Sequence, residues 1–258
     1  MARPGTGVQG RRTNLAAGAR RGADPEGKRL RSQGVPPLGP RPRLARSRPA
    51  EKRPRPTVRI ILASASKARL ATLRSAGLDP EVVESGVDES AVFASTPADL
   101  AHRLAVAKAR AVAGSPAAVG AQFVIGCDSV LDLDGVAVGK PTSARDAVRQ
   151  WRAMRGRSGV LVTGHCIIAA SAAREVSATA TTTVYFGDLS DDEIDAYVAT
   201  GEPQQVAGGF TIDGLGGAFV TRIEGDPHNV VGISLPLLRD LLHSLGTPWI
   251  HLWSSRPA

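Results

Sequence analysis

The chain has 258 residues and a formal net charge of +8, and most of its positive charge lies at one end. Residues 1–56 contain 15 Lys and Arg residues against 3 Asp and Glu residues, a net charge of +12. The remaining 17 basic and 21 acidic residues give 57–258 a net charge of −4. This composition argues against a nucleic-acid-binding domain, so any nucleic-acid contact is expected only through residues 1–56.

The basic segment 1–56 is rich in Arg, Pro and Gly and contains no aromatic residue. It has no periodic apolar face with which to offset the entropy lost on ordering, so we predict that it is disordered. It also lacks the apolar core of a secretory signal. Three explanations of the segment stay open: an organellar transit peptide, a nucleic-acid-binding arm, and an extension or mis-assigned start codon that precedes the domain.

Residues 57–258 are long enough for one α/β domain with a sizeable core. Cys127 and Cys166 have neither C-x-x-C spacing nor a histidine at zinc-finger distance, so neither a disulfide framework nor a structural zinc site is predicted. No apolar run approaches the roughly 18 residues of a membrane span. We therefore expect a cytoplasmic protein that is not embedded in a membrane.

Strand and helix patterns alternate along the domain, which indicates an α/β fold. Apolar runs rich in β-branched residues predict strands at 58–63, 81–84, 123–127, 159–170, 175–186 and 218–223. Apolar residues at helical spacing predict helices that end near Gly77, Gly114, Met154, Gly201 and Leu245. Residues 131–138 predict a hairpin that turns at Asp134-Gly135, and 224–232 predicts a loop.

The first strand meets a polar loop that contains Ser64 and Ser66, and Arg69 follows one turn into the next helix. Because the N–H groups at a helix N-terminus attract anions, the two hydroxyls and Arg69 can face a phosphate. The structural alternative is a serine cap with a solvated arginine.

The strand 123–127 is expected to present Asp128 at its carboxyl end, where open α/β sheets bind ligands. The hairpin after it returns the chain to Lys140, which is therefore expected near Asp128. Taken alone, Lys108 on its helix is typical of a surface lysine, and Asp88-Glu89 is typical of a turn. Together these groups provide the cations, hydroxyls and carboxylates needed to hold a polyphosphate with a divalent metal and attack it with water.

Five glycines lie within residues 207–217, too many for the interior of a helix or strand. They indicate a simple loop, tight turns or close approach of the backbone to a ligand. His228 follows in the next loop without a second histidine or cysteine nearby, so a metal role is not predicted for it.

The order and spacing of these motifs resemble the Maf family of nucleoside triphosphate pyrophosphatases, also called septum-formation inhibitors. The resemblance covers residues 58–245. It is carried by short motifs at 62–66 with Arg69, 87–89, 104–109, 125–129, 139–141, 154–156, 163–164, 201–203, 207–209, 214–217, 224–226 and 229–232.

The resemblance implies a mixed sheet with flanking helices, two lobes around a cleft and a relation to the inosine triphosphatase fold, often as a homodimer. It implies hydrolysis of a nucleoside triphosphate to a nucleoside monophosphate and pyrophosphate with a divalent metal, Mg²⁺ or Mn²⁺. At the matching positions, Asp128 would activate water, Asp88 would help to bind the metal, and the phosphates would be held by Ser64, Arg69, Lys108 and Lys140. From the residues alone, Asp128 could instead bind the metal.

Four positions differ from the common family pattern. Where the family usually has Arg-Arg and Ala-Asp-Thr, this chain has Ala68-Arg69 and Cys127-Asp128-Ser129. Where the family usually has Thr-His or Thr-Trp and Ile-Gln-Gly, this chain has Ser158-Gly159 and Ile212-Asp213-Gly214. The residues implied in phosphate binding and water activation are retained, so catalysis is expected. The preferred base is open, and Ser158 and Asp213 are the candidate specificity residues.

Two functions of other classes also stay open. A nucleotide-sensing regulator would bind a triphosphate without hydrolysing it, and could engage the division machinery. A nucleic-acid-binding protein would act through residues 1–56. Asp128 together with Lys140 and Arg69 favours an enzyme over a sensor. A phosphatase or kinase is disfavoured because the sequence contains no Walker-type G-x-x-x-x-G-K-[ST] motif and no kinase signature.

Overall fold

The computed structural model describes residues 58–254, apart from the side chain of Ser171. The predicted boundary at residue 57 and the predicted disorder of 1–56 therefore fall outside the described residues. Seven strands in this range form one sheet in the order β2-β1-β3-β5-β6-β7, with β4 paired to β3. They are β1 (Ile60–Ala63), β2 (Glu81–Val82), β3 (Phe123–Leu133), β4 (Val136–Val138), β5 (Ser158–Ala169), β6 (Arg174–Phe186) and β7 (Val220–Glu224).

The sheet is mixed, as the resemblance to the Maf family implies. Strand β1 runs parallel to β2 and to β3, whereas the pairs β3–β4, β3–β5, β5–β6 and β6–β7 are antiparallel. The hairpin between β3 and β4 turns where it is predicted, since Asp134 and Gly135 both have positive φ angles of 54° and 83°. Positive φ at both central residues is what a two-residue hairpin turn of type I′ requires.

Six α-helices flank the sheet within the described range. They are α1 (Lys67–Ser75), α2 (Pro97–Ala113), α3 (Ala144–Met154), α4 (Asp191–Ala199), α5 (Pro227–Val231) and α6 (Leu235–Ser244). Hydroxyl caps set the starts of α2, α3 and α4, because Thr96, Ser143 and Ser190 each accept a hydrogen bond from the backbone N–H three residues later. No helix in the described range is both long and apolar enough to cross a membrane.

Helix α5 corrects the prediction that 224–232 is a loop. The Asp226 side chain accepts a hydrogen bond from the His228 N–H, and Pro227 occupies the first helical position. A cap followed by proline is a helix-start signal. The sequence contains this signal, but the short segment that follows offers too little periodicity to predict a helix.

Helix α2 lies directly on β3 and β5, and two glycines make this contact close. A Cβ at Gly126 would approach the Ala105 carbonyl oxygen to 2.3 Å, and one at Gly164 would approach the Ala101 carbonyl oxygen to 2.2 Å. Real Cβ atoms do not come this near to backbone oxygens, so any larger residue would push α2 away from the sheet. The close packing brings Lys108 of α2 to the surface of β3.

Strand β3 is longer than predicted, and this changes the place of Asp128. The prediction put Asp128 at the carboxyl end of a strand that stops at residue 127. The strand instead continues to Leu133, because its antiparallel pairing with β5 extends from Phe123 to Asp132. Asp128 is therefore paired with Gly164 in the middle of β3, while the strand that ends nearby is β1.

Two main apolar cores lie at opposite ends of the long strands. The first joins β1 and the start of β3 to α1 and α6, and includes Leu62, Leu73, Ile125, Leu238 and Leu242. The second joins the far ends of β3, β5 and β6 to α3 and α4, and is rich in edge-to-face aromatic contacts among Trp151, Phe186, Tyr197, Phe210 and Phe219. The candidate site lies between these cores.

Candidate active site

The site forms where β3 lacks a neighbouring strand on one side. Strand β1 ends at Ala63, which pairs with Gly126, and β4 begins its pairing only at Leu131. Within residues 58–254, the edge of 127–130 on this side therefore has no strand partner. A gap of this kind beyond the carboxyl end of a parallel strand is a usual ligand-binding position in α/β sheets.

Asp128 and Lys108 form a buried ion pair at this gap. The Lys108 Nζ atom lies 2.5 Å from Asp128 Oδ1, and both side chains are only 10% exposed. The same Nζ atom lies 2.5 Å from Glu89 Oε1, whose side chain is 58% exposed. Lys108 thus joins a buried carboxylate of the sheet to an exposed carboxylate of the loop before α2.

The surroundings of Asp128 alter its acidity. Burial raises the pKa of the Asp128 carboxyl above its ordinary value, while the positive charges of Lys108 and Arg69 oppose this rise. A carboxylate that is removed from water accepts a proton more readily than an exposed one.

Arg69 is held rigidly on the opposite side of the gap. Its Nε donates to the Gly232 carbonyl oxygen at 2.7 Å, one NH₂ group donates to Ser64 Oγ at 3.0 Å, and the other donates to Ser129 Oγ at 2.9 Å. Ser64 and Arg69 are both buried. The guanidinium therefore has a fixed position, and it is not the solvated arginine of the alternative interpretation.

Two adjoining cavities meet at these residues. One, of about 580 Å³, is called the apolar cavity here. It is lined by Asp128 and Arg69, and by the apolar residues Leu100, Leu104, Val130, Leu161, Phe210 and Ile212. The other, of about 770 Å³, is called the polar cavity here because most of its lining residues are polar or charged, among them Ser64, Lys67, Arg69, Lys108 and Glu84. Volumes of this size suit a small organic ligand.

Lys140 and Gln205 line both cavities. Lys140 is exposed and forms no ion pair with any of the described residues, so its ammonium is available to a ligand. The hairpin thus brings Lys140 to the same cavity as Asp128, and the two cations Arg69 and Lys140 reach that cavity from different elements.

The two candidate base-specificity residues lie in different places. Asp213 is exposed and lines the apolar cavity. Ser158 is the exposed first residue of β5, pairs with Tyr185, and lines neither of the two cavities. The structure therefore brings Asp213, but not Ser158, into contact with the candidate ligand space.

Comparisons with known proteins agree with this architecture. A model of the Maf-like protein family matches residues 59–245. The chain belongs to this family. A Streptomyces coelicolor protein named nucleoside triphosphate pyrophosphatase is 59% identical over 201 residues, which cover 78% of this chain and 97% of that one. Proteins of the same name from Salinispora tropica and Mycobacterium marinum are 56% and 50% identical, covering 76% and 77% of this chain and 88% and 98% of their own.

One solved structure also matches, but only weakly. The Staphylococcus aureus Ham1 protein shares 16% sequence identity with this chain, and the match covers 50% of this chain and 72% of that one at a TM-score of 0.34. A TM-score this low does not establish that the two proteins share a fold.

Asp88, the residue implied in metal binding, does not line the cavities of this Maf-like centre. Its carboxylate accepts hydrogen bonds from the Ser90 N–H at 3.1 Å and the Ser90 hydroxyl at 2.6 Å. Asp88 lines neither cavity, whereas its neighbour Glu89 lines both. The structure therefore places Glu89, and not Asp88, beside Lys108.

Sequence reasoning missed several residues of this Maf-like site. Ser129 is not among the residues predicted to bind the substrate, yet its hydroxyl accepts a hydrogen bond from Arg69 and helps to hold the guanidinium. Lys67 lines the second cavity and Gln205 lines both, although the sequence predicts neither as a site residue. No local signal marks Ser129, because neighbouring residues of a strand face opposite sides and Asp128 therefore does not indicate what Ser129 contacts.

Other buried polar groups have structural roles. The His165 Nδ1 atom donates to the Thr163 carbonyl oxygen, and Nε2 accepts from the Ser234 N–H at the start of α6. Burial lowers the pKa of His165 to about 4, so its ring is neutral near pH 7. Burial raises the pKa of the Cys127 thiol to about 12. Neither group is suited to acid, base or nucleophilic chemistry at neutral pH.

Proposed function

We propose that this protein hydrolyses a nucleoside triphosphate to a nucleoside monophosphate and pyrophosphate. The observation that carries this proposal is the Asp128–Lys108 pair at the open edge of β3. Asp128 lines one of the two adjoining cavities and Lys108 lines the other, and Arg69 and Lys140 line both. Three similar proteins that cover most of this chain bear the name nucleoside triphosphate pyrophosphatase, which supports the same conclusion.

The two cavities suggest how the substrate binds. The apolar cavity suits a nucleobase and its sugar, with Asp213 at its wall. The polar cavity suits the triphosphate, because Arg69, Lys108 and Lys140 bring three positive charges to it, and Lys67 adds a fourth. The scissile bond would then lie where the two cavities share residues, next to Asp128.

We assign Asp128 the role of general base. Its carboxylate would take a proton from water, the water oxygen would bond to the α-phosphorus, and the bond from that phosphorus to the bridging oxygen would break. The electron pair leaves with pyrophosphate, so negative charge grows on the leaving group. Arg69 and Lys140 would stabilise this charge more in the transition state than in the ground state.

The donor groups fit a divalent cation that is shared with the substrate. No cluster of three or more His, Cys, Asp or Glu residues suitable for a metal occurs within residues 58–254. Mg²⁺, however, often takes only one or two protein carboxylates and completes its shell with phosphate oxygens and water. Glu89 lies beside Lys108 and lines both cavities, so we assign it this role in place of Asp88 and keep Asp128 as the base. When bound, the cation would neutralise charge on the phosphate oxygens.

A panel of triphosphates tests the proposal. Purified protein is incubated with ordinary and modified nucleoside triphosphates and Mg²⁺ or Mn²⁺, and pyrophosphate and orthophosphate are measured separately. We expect pyrophosphate and nucleoside monophosphate in equal amounts. Tight binding of a triphosphate without turnover would instead support the nucleotide-sensing alternative. Orthophosphate as the first product would show cleavage at another bond.

A further inference from the structure

One carboxylate outside the proposed catalytic centre receives an unusual number of hydrogen bonds. Glu202, in the turn after α4, accepts at Oε1 from Tyr197 OH at 2.8 Å, Thr211 Oγ1 at 2.6 Å and the Gly216 N–H at 3.0 Å. Its Oε2 accepts from the Leu215 N–H at 3.0 Å. Four donors from separate parts of the chain thus converge on one side chain.

These contacts explain two glycines of the glycine-rich segment. A Cβ at Gly214 would lie 2.7 Å from Glu202 Oε2, and one at Gly216 would lie 2.3 Å from the Tyr197 hydroxyl oxygen. Residues 211–216 therefore wrap around the carboxylate at a distance that larger residues do not allow. Of the alternatives left open by the sequence, close approach of the backbone is correct for this part, but the group approached is Glu202 and not a substrate.

The same segment forms a wall of the apolar cavity. Thr211, Ile212 and Asp213 line that cavity, and Thr211 is also a donor to Glu202. Asp213 itself is exposed. Its position therefore depends on the segment that carries it.

Glu202 is itself tied to the second apolar core. Tyr197, which donates to it, is only 3% exposed and packs edge-to-face against Trp151 and Phe219. The aromatic core, Tyr197, Glu202 and the segment 211–216 thus form a continuous series of contacts that ends at the cavity wall.

We propose that Glu202 is a positioning residue for base discrimination, which fixes residues 211–216 so that Asp213 meets the nucleobase in one orientation. This inference rests on the proposed function, since it assumes that a nucleobase occupies the apolar cavity. Glu202 does not touch the substrate. It acts through Thr211 and the N–H groups of Leu215 and Gly216.

The ionised form of Glu202 is the one that can accept all four hydrogen bonds. Burial alone would raise the pKa of this carboxyl, but the donors outweigh burial and lower it to about 2. Glu202 is therefore an anion at any working pH, and it has no proton to donate. An amide at this position would present N–H donors to some of the same N–H and O–H groups, so Glu202→Gln should release the segment with little change in side-chain volume.

The experiment compares the discrimination of the wild type and Glu202→Gln among nucleoside triphosphates. For each, kcat/KM is measured over the panel, and the inhibition constant of pyrophosphate is measured as a probe that lacks a base. We expect the ratio between the best and the poorest triphosphate to fall about tenfold, mainly through KM, as one polar contact to the base is lost. The inhibition constant of pyrophosphate should change less than about twofold.

Two further variants distinguish a specific effect on base discrimination from a general loss of stability. Glu193→Gln removes another carboxylate that accepts backbone and hydroxyl hydrogen bonds, but at the cap of α4, and it should leave discrimination unchanged. Tyr197→Phe removes one of the four donors and keeps the carboxylate, so it should reduce discrimination in the same direction by a smaller factor. If Glu202→Gln does not fold, the discrimination of Tyr197→Phe alone tests the proposal.

Unchanged discrimination in both Glu202→Gln and Tyr197→Phe would overturn the proposal. An equal loss of pyrophosphate and nucleotide binding would also overturn it, because Glu202 would then act on the whole site. If the wild type hydrolyses no triphosphate, the proposed function fails independently. Dissociation constants over the same panel, with pyrophosphate as the base-free probe, then decide whether Glu202 sets base discrimination in binding.

Discussion

The Lys108 ammonium lies 2.5 Å from the Asp128 carboxylate, with both side chains 10% exposed. A buried ion pair gains little stability, because the cost of removing two charges from water offsets much of their attraction. Gly126 and Gly164 are nevertheless placed so that α2 can bring these two groups together. A costly pair that borders a cavity is typical of a functional site.

Asp128→Asn should lower kcat by about 10² to 10⁴ and leave triphosphate binding measurable, because the amide keeps the shape but cannot accept a proton from water. Steady-state kinetics and equilibrium binding check both parts. Asp132→Asn is the matched control on the same strand, since Asp132 accepts a hydrogen bond from the Gly135 N–H in the hairpin and lines neither cavity. A kcat for Asp128→Asn within threefold of the wild type would remove Asp128 from the mechanism.

Lys140→Ala and Arg69→Ala should each lower kcat by roughly 10² to 10³, since both cations face the growing charge of the leaving group. Their effects on stability should differ. Lys140 is exposed and unpaired within the described range, so its loss should leave the melting temperature unchanged. Arg69 is buried and makes three hydrogen bonds to other residues, so its loss should destabilise the fold by about 1–3 kcal/mol.

Melting temperatures measured together with kcat and KM distinguish the two variants. Arg74→Ala is the control on α1, because Arg74 is an exposed arginine paired with Asp79 away from both cavities. A change in KM alone, with kcat unaltered, would assign Lys140 or Arg69 to ground-state binding.

Much of the fold could be predicted because local signals and tertiary packing agree. Hydroxyl caps set the starts of α2, α3 and α4, and the Asp134-Gly135 turn sets the β3–β4 hairpin. The full length of β3 could not be predicted, because residues 128–133 include polar side chains whose strand conformation depends on pairing with β5. Pairing between distant strands is not visible in a local pattern.

In the candidate site, too, some features could be predicted from local sequence and others depend on contacts between distant residues. Motifs along the chain indicated Asp128, Arg69 and Lys140, which the structure brings to one cavity. The contact between Glu89 and Lys108 could not be predicted from sequence, since it depends on which carboxylate of the pair 88–89 faces α2 in the folded chain. The role of Glu202 could not be predicted from sequence either, because its four hydrogen-bond donors come from Tyr197 and from a segment about ten residues further along the chain.

Asp213→Gln should shift base preference toward uridine or thymidine triphosphates. The carboxylate at the cavity wall only accepts hydrogen bonds, so it should favour a base edge with N–H donors, such as that of guanine or cytosine. Glutamine can both donate and accept. One such contact is worth on the order of 1–3 kcal/mol once the bound base covers Asp213, because a mismatch then leaves a polar group without a partner or water.

The ranking of kcat/KM over the triphosphate panel checks this prediction, with Asp195→Asn on the exposed face of α4 as a control. An identical ranking in the wild type and Asp213→Gln would show that Asp213 does not contact the base.

Deleting residues 1–56 should leave activity and melting temperature nearly unchanged, since this segment lacks an apolar face with which to contact a core. The measurement is a side-by-side comparison of the full chain and the shortened chain in the same buffer. Insolubility or inactivity of the shortened chain would show that the segment packs on the domain.

Glu202 should make stability depend on pH in the acid range. Its pKa is lowered from 4.5 to about 2 in the folded protein, so its stabilising effect is complete above about pH 4.5 and is lost as the pH falls through about 2. The difference in free energy of unfolding between the wild type and Glu202→Gln should therefore shrink from about pH 6 to about pH 3. Urea unfolding at a series of pH values measures it, and a constant difference would contradict the assignment.

Hydrolysis in water enriched in oxygen-18 tests the central claim most directly. Products of a single turnover are separated and examined by mass spectrometry. Attack of water on the α-phosphorus predicts one labelled oxygen in the nucleoside monophosphate and none in pyrophosphate, with the rate of label incorporation lost in Asp128→Asn. Label in pyrophosphate or orthophosphate, or undiminished labelling in Asp128→Asn, would contradict the account.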